Sequence, residues 1–363
     1  MLKKIKFKEF AIPALSVVFG LLLGAIIMLI FGYDPLSGYS SMLEAAIGTP
    51  KSIGETLRQA TPLIFTALGF AVANSAGFFN IGLSGQALAG WVASVWFALS
   101  NPDMPRIMLV ILSVLIGALA GAFIGAIPGF LRAYFGTSEV IVTIMLNYIL
   151  LYTSSHLIHN VFSKKILVSI DSTVQVSQNA TLRVPWLSEL THGSRLNIGA
   201  FIAIVALVAV WFLMKKTTLG FEIRSVGLNP DASEYAGISS KRTIILSMVI
   251  SGMLAGLGGV VEGLGTFQNF FVQGSSLSIG FDGMAVSLLG AGSSIGILLA
   301  ALLFSILKIG APGMSLAGVP PEIVNIVTAS IIFFVGANYL IRLILSKLPE
   351  KKKVVQPTNG GAD

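Results

Sequence analysis

Apolar stretches of about twenty residues recur along the chain, separated by short polar segments that carry lysine or arginine at their edges. In a bilayer every backbone polar group must be satisfied within the chain, so only helices or a closed barrel can cross. Membrane strands need only about 9–11 residues, and these runs are twice that. With 55% hydrophobic and 11% charged residues, against about 25% charged in soluble domains, the sequence predicts an all-α polytopic membrane protein. The expected spans are 10–32, 59–79, 82–100, 107–131, 139–162, 196–214, 242–262, 279–292, 294–310 and 323–345. Gly, Asn and Ser interrupt the apolar pattern at 59–100 and 279–310.

About ten spans place both termini on one side, and basic flanks mark the cytoplasmic side. The basic start MLKKIKFKEF leads into an apolar run too long for a signal peptide, which predicts an uncleaved first helix. Lys3, Lys4, Lys6, Lys8, Arg132, Lys215, Lys216, Arg224, Lys241, Arg242, Arg342, Lys347 and Lys351 to Lys353 fall inside on this reading. Lys51, Arg58, Arg106, Lys164, Lys165, Arg183, Arg195 and Lys308 fall outside. Both termini are thus expected in the cytoplasm of a plasma-membrane protein. Residues 1–346 form the transmembrane domain, and 347–363 a basic, disordered tail. Two external segments are long: 33–58, able to hold a helix on the outer surface, and the polar loop 163–195.

The net charge of +7 lines apolar borders and does not cluster with exposed aromatics, so no nucleic-acid partner is expected. There is no cysteine, hence no disulfide and no thiolate metal site. His156 and His159 share a helix face without a third ligand, so no metal is expected. Gly82-Leu-Ser-Gly85 resembles the nucleophile motif of rhomboid proteases, but no histidine is placed to serve Ser84 as base, and no catalytic residue is assigned.

Polar residues at membrane depth mark a bundle interior or a path. Asn80, Ser84 and Gln86 lie in AGFFNIGLSGQALAG (76–90), where the glycines predict a break between two spans. Thr143 and Asn147 follow Glu139 at four-residue steps and make a polar stripe on an otherwise apolar helix. These five residues are the candidate translocation path; the plainer alternative is helix packing and interhelical hydrogen bonding. Gly252 and Gly256 suit close helix contact, and Glu262 and Asp282, near span ends, suit snorkelling to water.

One long charged segment lies between apolar runs, 215–242. Asn229 is an N-cap candidate and Pro230 a first-turn residue, so a short helix is predicted through Asp231, Ala232, Ser233, Glu234 and Tyr235, stopping at Gly237. Such a helix, held by two spans in the cytoplasm, can receive a push from a soluble partner; otherwise it is a solvated loop. No Gly-Lys dipeptide occurs, so the chain has no Walker A lysine of its own.

Together FNIGLSGQ, FGTSEVIVTIMLNY, GLNPDASEYAGIS, SGMLAGLGGVVEGLG and GFDGMAVSLLG, in this order, resemble the permease subunits of bacterial ABC importers for simple sugars and nucleosides. The likeness covers about residues 10–345 and is strongest to the larger permease of Gram-positive nucleoside importers. It implies a type II importer fold like that of the vitamin B12 permease. It also implies a cytoplasmic ABC ATPase that binds the ATP, a second permease paralogous to this one, and an external substrate-binding lipoprotein. Gly227, Asn229, Pro230, Asp231, Ala232, Glu234, Tyr235 and Gly237 match the family's coupling segment. The chain itself needs no cofactor on this reading, and its cargo is a nucleoside or, alternatively, a simple sugar such as ribose. A self-contained secondary transporter or channel is the competing class; it usually keeps paired charges deep in a span, whereas the central polar residues here are neutral.

Overall fold

The computed structural model describes residues 2–336 apart from residue 163. The expected tail and the end of the last span lie outside the described residues. Fourteen α-helices occur among them: α1 Leu2–Ile30, α2 Pro35–Ile47, α3 Pro50–Ser75, α4 Leu83–Ser100, α5 Arg106–Phe135, α6 Glu139–His156, α7 Pro185–Leu190, α8 Gly199–Lys216, α9 Thr218–Leu228, α10 Pro230–Tyr235, α11 Ser240–Val260, α12 Ser278–Leu289, α13 Ser294–Leu316 and α14 Pro321–Gly336. Two of them continue as π-helix, α6 over Leu157–Val161 and α11 over Val261–Phe267. Five helices are long and apolar enough to cross a membrane: α5, α6 and α11 with their extensions, α8 and α13. The chain is therefore a multi-pass membrane protein. Within the described residues every expected span falls on a helix, but α12, with 12 residues, is too short to cross alone.

The centre is α3, buried without interruption from Ala60 to Ala73. A helix covered all round has no need of a lipid-facing stripe, so it can carry Thr61, Thr66 and Gly69 among its apolar residues. Beside it α5 and α11 cross in close contact. Gly117, Gly121, Gly125 and Gly129 recur at four-residue steps on α5; the first three meet Gly252 and Gly256 of α11, and Gly129 meets Ile245 and Met248. A Cβ at Gly121 would lie 2.7 Å from the Gly256 Cα, and one at Gly125 3.0 Å from the Gly252 Cα. The contact expected for Gly252 and Gly256 is present, with a glycine ladder on α5 as its other half.

A second core joins α1, α2, α13 and α14 through Met28, Met42, Met314, Val324 and Val327. The helix in the 33–58 segment does not simply lie on a surface: Met42 and Ala46 are buried, and α2 sits against Gly310 and Gly313 of α13. The rest of that segment, from residue 50, starts α3.

The 163–195 loop is fastened to the chain after α11. Its two short strands, β1 Leu167–Ser169 and β2 Ser172–Thr173, pair antiparallel. Thr173 N donates to Phe270 O (2.9 Å), Val176 N to Gln268 O (2.7 Å) and Leu182 N to Leu264 O (3.1 Å). Arg183 Nε donates to Gly265 O (2.8 Å).

Candidate functional site

The break expected between two spans lies between Ser75 and Leu83. Gly77 turns the chain with φ +84°, where side chains are disfavoured. Asn80, Ser84, Gln86, Thr143 and Asn147 are all buried; Asn80, Gln86 and Ser251 of α11 bond into a polar knot, Thr143 and Asn147 pack on its Gly82 and Gly85, and Ser84 turns toward Leu277. Asn80 Nδ2 donates to Gln86 Oε1 (3.0 Å) and to Ser251 Oγ (2.8 Å), while Asn80 Oδ1 accepts from Gly82 N (2.9 Å). Asn147 clamps the start of α4 from α6: its Oδ1 accepts from Gly85 N (2.8 Å) and its Nδ2 donates to Ile81 O (2.9 Å). Thr143 Oγ1 donates to Glu139 O (2.7 Å), and Ser84 Oγ to Leu277 O (2.8 Å). An irregular buried segment must find partners for its backbone groups, and Asn80 and Asn147 supply them. No hydroxyl or amide of the knot lines either cavity described below.

Two cavities adjoin opposite ends of α3. One, of about 600 Å³, includes Asn74, Ser75, Lys215, Arg224 and Ser287 in its walls. The other, of about 300 Å³, includes Arg58, Trp91, Arg195, Glu262, Thr266, Phe267 and Phe271. Arg58 and Asn74 are separated by ~24 Å of helix at 1.5 Å per residue. The short α12 reaches both, with Ser278 and Ile279 at the smaller cavity and Ser287 and Leu288 at the larger. Between them the chain is closed: Thr66 Oγ1 donates to Ile279 O (2.9 Å), and Gly280 and Gly283 lie directly against Ser84 and Thr66.

Charged residues expected at span ends are engaged inside the protein. Asp282 is ion-paired with Lys308. Glu262 is 6% exposed, so it does not snorkel. Arg58 is 5% exposed and donates to Glu55 at 2.7 Å, while Arg195 reaches the same carboxylate at 3.1 Å. Arg58 and Lys308 are therefore poor markers of an aqueous loop, and without them the Lys/Arg bias between the two sides widens.

The segment 215–242 holds α9 and α10. Asn229 caps α10, its Oδ1 accepting from Ala232 N at 3.0 Å, Pro230 is the first helical residue, and Gly237 follows with φ +84°. Ser240 Oγ donates to Pro230 O (2.8 Å), tying α10 to α11. Asp231, Ala232 and Glu234 are exposed, as are Leu228 (89%) and Tyr235 (96%). Gly227 rests on the backbone of Ser75 and Ala76, where a Cβ would lie 2.9 Å from the Ser75 carbonyl carbon. The end of α9 is thus seated on the break that leads into the polar knot.

Sequence reasoning found the knot and the α9–α10 segment but missed the smaller cavity. Trp91, Phe267 and Phe271 read as ordinary apolar residues, and Arg58 as a loop cation. The signal present was Glu262 among six glycines in SGMLAGLGGVVEGLG.

Membrane helices broken at polar residues, with a capped helix on a polar loop, fit a transport subunit. The chain belongs to the family described as branched-chain amino acid transport system / permease component, whose model matches residues 52–336. It is 60% identical over 344 residues to the nucleoside ABC transporter permease protein NupB of Lactococcus lactis subsp. cremoris strain MG1363, covering 94% of each chain. It is 44% identical to the guanosine ABC transporter permease protein NupP of Bacillus subtilis strain 168, over 94% of this chain and 97% of that one. It is 31% identical to the glucose ABC transporter permease protein TsgB13 of Haloferax volcanii, over 89% and 86%.

Proposed function

We propose that the chain is the permease subunit of an ATP-binding-cassette importer and carries a nucleoside, with α10 as the element that couples it to a separate ATPase. The likeness at 60% identity to a nucleoside permease, over nearly the full length of both chains, carries the choice of cargo. The remaining assembly follows from that class: a cytoplasmic ABC ATPase, a second permease that is a paralogue, and an external substrate-binding lipoprotein. The fold is that of a type II importer permease with ten spans, both termini in the cytoplasm.

The mechanism is alternating access about a site within the membrane. A binding protein delivers the nucleoside to the outer mouth. ATP binding draws the ATPase domains together and moves α10. Because Gly227 rests on Ser75, that movement reaches the 75–83 break without an intervening side chain. The knot around Asn80 and Asn147 then shifts as a unit, and the closure at Thr66, Ser84 and α12 opens. Asn80, Ser84, Gln86, Thr143 and Asn147 border the path at this closure; they meet the cargo only when their present bonds exchange.

Ala232→Arg tests the coupling role. The residue is exposed and the helix is outside the apolar spans, so the permease folds and inserts normally. A bulky charge that the ATPase contact must desolvate costs about 1–3 kcal/mol or more. The expected result is normal permease in membranes, little co-purified ATPase and little nucleoside uptake. Normal ATPase recovery with normal uptake would show that α10 is a solvated linker.

A further inference from the structure

The smaller cavity has the parts of a ligand site, and nothing in the coupling mechanism uses them. Trp91 is held by its Nε1, which donates to Asn269 O at 2.8 Å. Phe267 stacks on it with ring centroids 5.1 Å apart and planes 10° from parallel. Phe271 meets both rings edge-on, 5.4 Å from Trp91 and 5.3 Å from Phe267. Trp91 is buried, but Phe267 remains 39% exposed after covering it. The aromatic group thus offers an open ring on a rigid backing.

The polar side of the cavity is built around Glu262. Thr266, one turn further on, lines the cavity beside it. The Thr266 Oγ1 accepts from Arg58 Nη1 at 3.4 Å. A carboxyl group has several acceptor positions to offer a ligand. An ionisable group buried this deeply within a span is a candidate functional group. The two lining guanidiniums, Arg58 and Arg195, are already engaged by Glu55, and Arg183 behind the wall is bonded to the Gly265 and Thr266 carbonyls. The cavity therefore presents an acceptor and a ring face to a ligand, with its two guanidiniums sharing the Glu55 carboxylate.

Local backbone explains how these groups come together. The π-helical stretch Val261–Phe267 ends at Gln268, a non-glycine residue with φ +60°. Wide π turns at the end of an α-helix recur at functional sites. Here the turn sets Glu262, Thr266 and Phe267 around one space. The loop after residue 163 bonds to the carbonyls of Leu264, Gln268 and Phe270 and so holds the turn from outside.

We infer that this cavity is a nucleoside subsite within the permease, with the base on the open face of Phe267 beside Phe271 and Glu262 accepting a hydrogen bond from the ligand's N–H or O–H groups. A volume of about 300 Å³ is at the small end of the ~300–1,000 Å³ of ligand cavities, which suits a nucleoside. This subsite rests on the nucleoside reading above, and the experiment separates the two. The whole importer is assayed in membranes for uptake of labelled guanosine, uridine and ribose at saturation. Uptake of ribose and of neither nucleoside by the natural chain would overturn the cargo reading, and the subsite with it. Given nucleoside uptake, Phe267→Leu is expected to lower the maximal guanosine rate about five- to hundredfold, the range for losing one base–aromatic stack. Uridine, with a smaller ring, loses less. Phe267→Tyr keeps the ring and keeps the rate. In the natural importer, photoactivated 8-azidoguanosine is expected to label the peptide carrying residues 262–273, and excess guanosine to prevent it. An unchanged guanosine rate in Phe267→Leu, or label elsewhere in the chain, would overturn the subsite and leave the cargo reading standing. So would loss of the assembled complex in Phe267→Leu, which would assign the ring to packing.

Discussion

Asn147 shows how a polar residue in a membrane helix can be spent on backbone groups while the path is closed. It faces a neighbouring chain segment and takes both sides of a broken backbone, Gly85 N and Ile81 O. Asn147→Leu removes both bonds at once and leaves a buried N–H and a buried carbonyl unmatched. A lost partner for a buried polar group costs about 1–3 kcal/mol. The expected result is a lower melting temperature of the solubilised permease together with reduced uptake. Asn147→Asp keeps the Oδ1 acceptor for Gly85 N and is expected to fall between the two. Full uptake and unchanged melting for Asn147→Leu would mean that the break holds itself. The sequence showed the polar stripe at Thr143 and Asn147 by its spacing. It could not show whether the stripe faced water or backbone, because that depends on what packs opposite.

Among elements, the α5–α11 crossing is the most extensive helix contact of the described residues, and it rests on the absence of side chains. Gly121 and Gly256 bring backbones together without a hydrophobic driving force, which lipid does not supply between helices. Gly256→Val is expected to force the crossing apart, because its Cβ would come to 3.0 Å from the Gly121 Cα before any methyl is added. Overpacking of this kind costs about 1–3 kcal/mol, occasionally more. Thermal unfolding of the purified permease, read by circular dichroism, is expected to shift down clearly. Gly136→Ala makes a useful contrast: its φ of +63° strains any side chain, yet open space surrounds it, so a small loss without helix displacement is expected. A melting temperature for Gly256→Val equal to that of the natural chain would refute the role of the contact.

For the whole molecule, topology is the property on which the transport mechanism depends. The chain has no cysteine, so single introduced ones report cleanly. Gln178 and Asp231 are both exposed. An impermeant thiol reagent on intact cells is expected to label Gln178→Cys and not Asp231→Cys. Labelling at 231 alone would invert the protein and place α10 out of reach of any ATPase. The orientation is supported by the basic flanks at Lys215, Lys216, Lys241 and Arg242. It gains from the structure, since Arg58 and Lys308 are paired within the protein and drop out of the opposing count.

Local chemistry was enough to read much of this protein from its sequence. Span length follows from bilayer thickness, and α10 from Asn229, Pro230 and Gly237, whose preferences act within a few residues. The break at 76–82 follows from glycines and amides in an apolar run. The tertiary structure decided what required distant partners. Trp91, Phe267 and Glu262 meet because α4 packs against the π turn after α11, and no spacing along the chain encodes that meeting. Arg58 finds Thr266 across 208 positions of sequence. Hydropathy measures the mean environment of a segment, whereas a binding cavity is made by particular side chains from several segments closing on one volume.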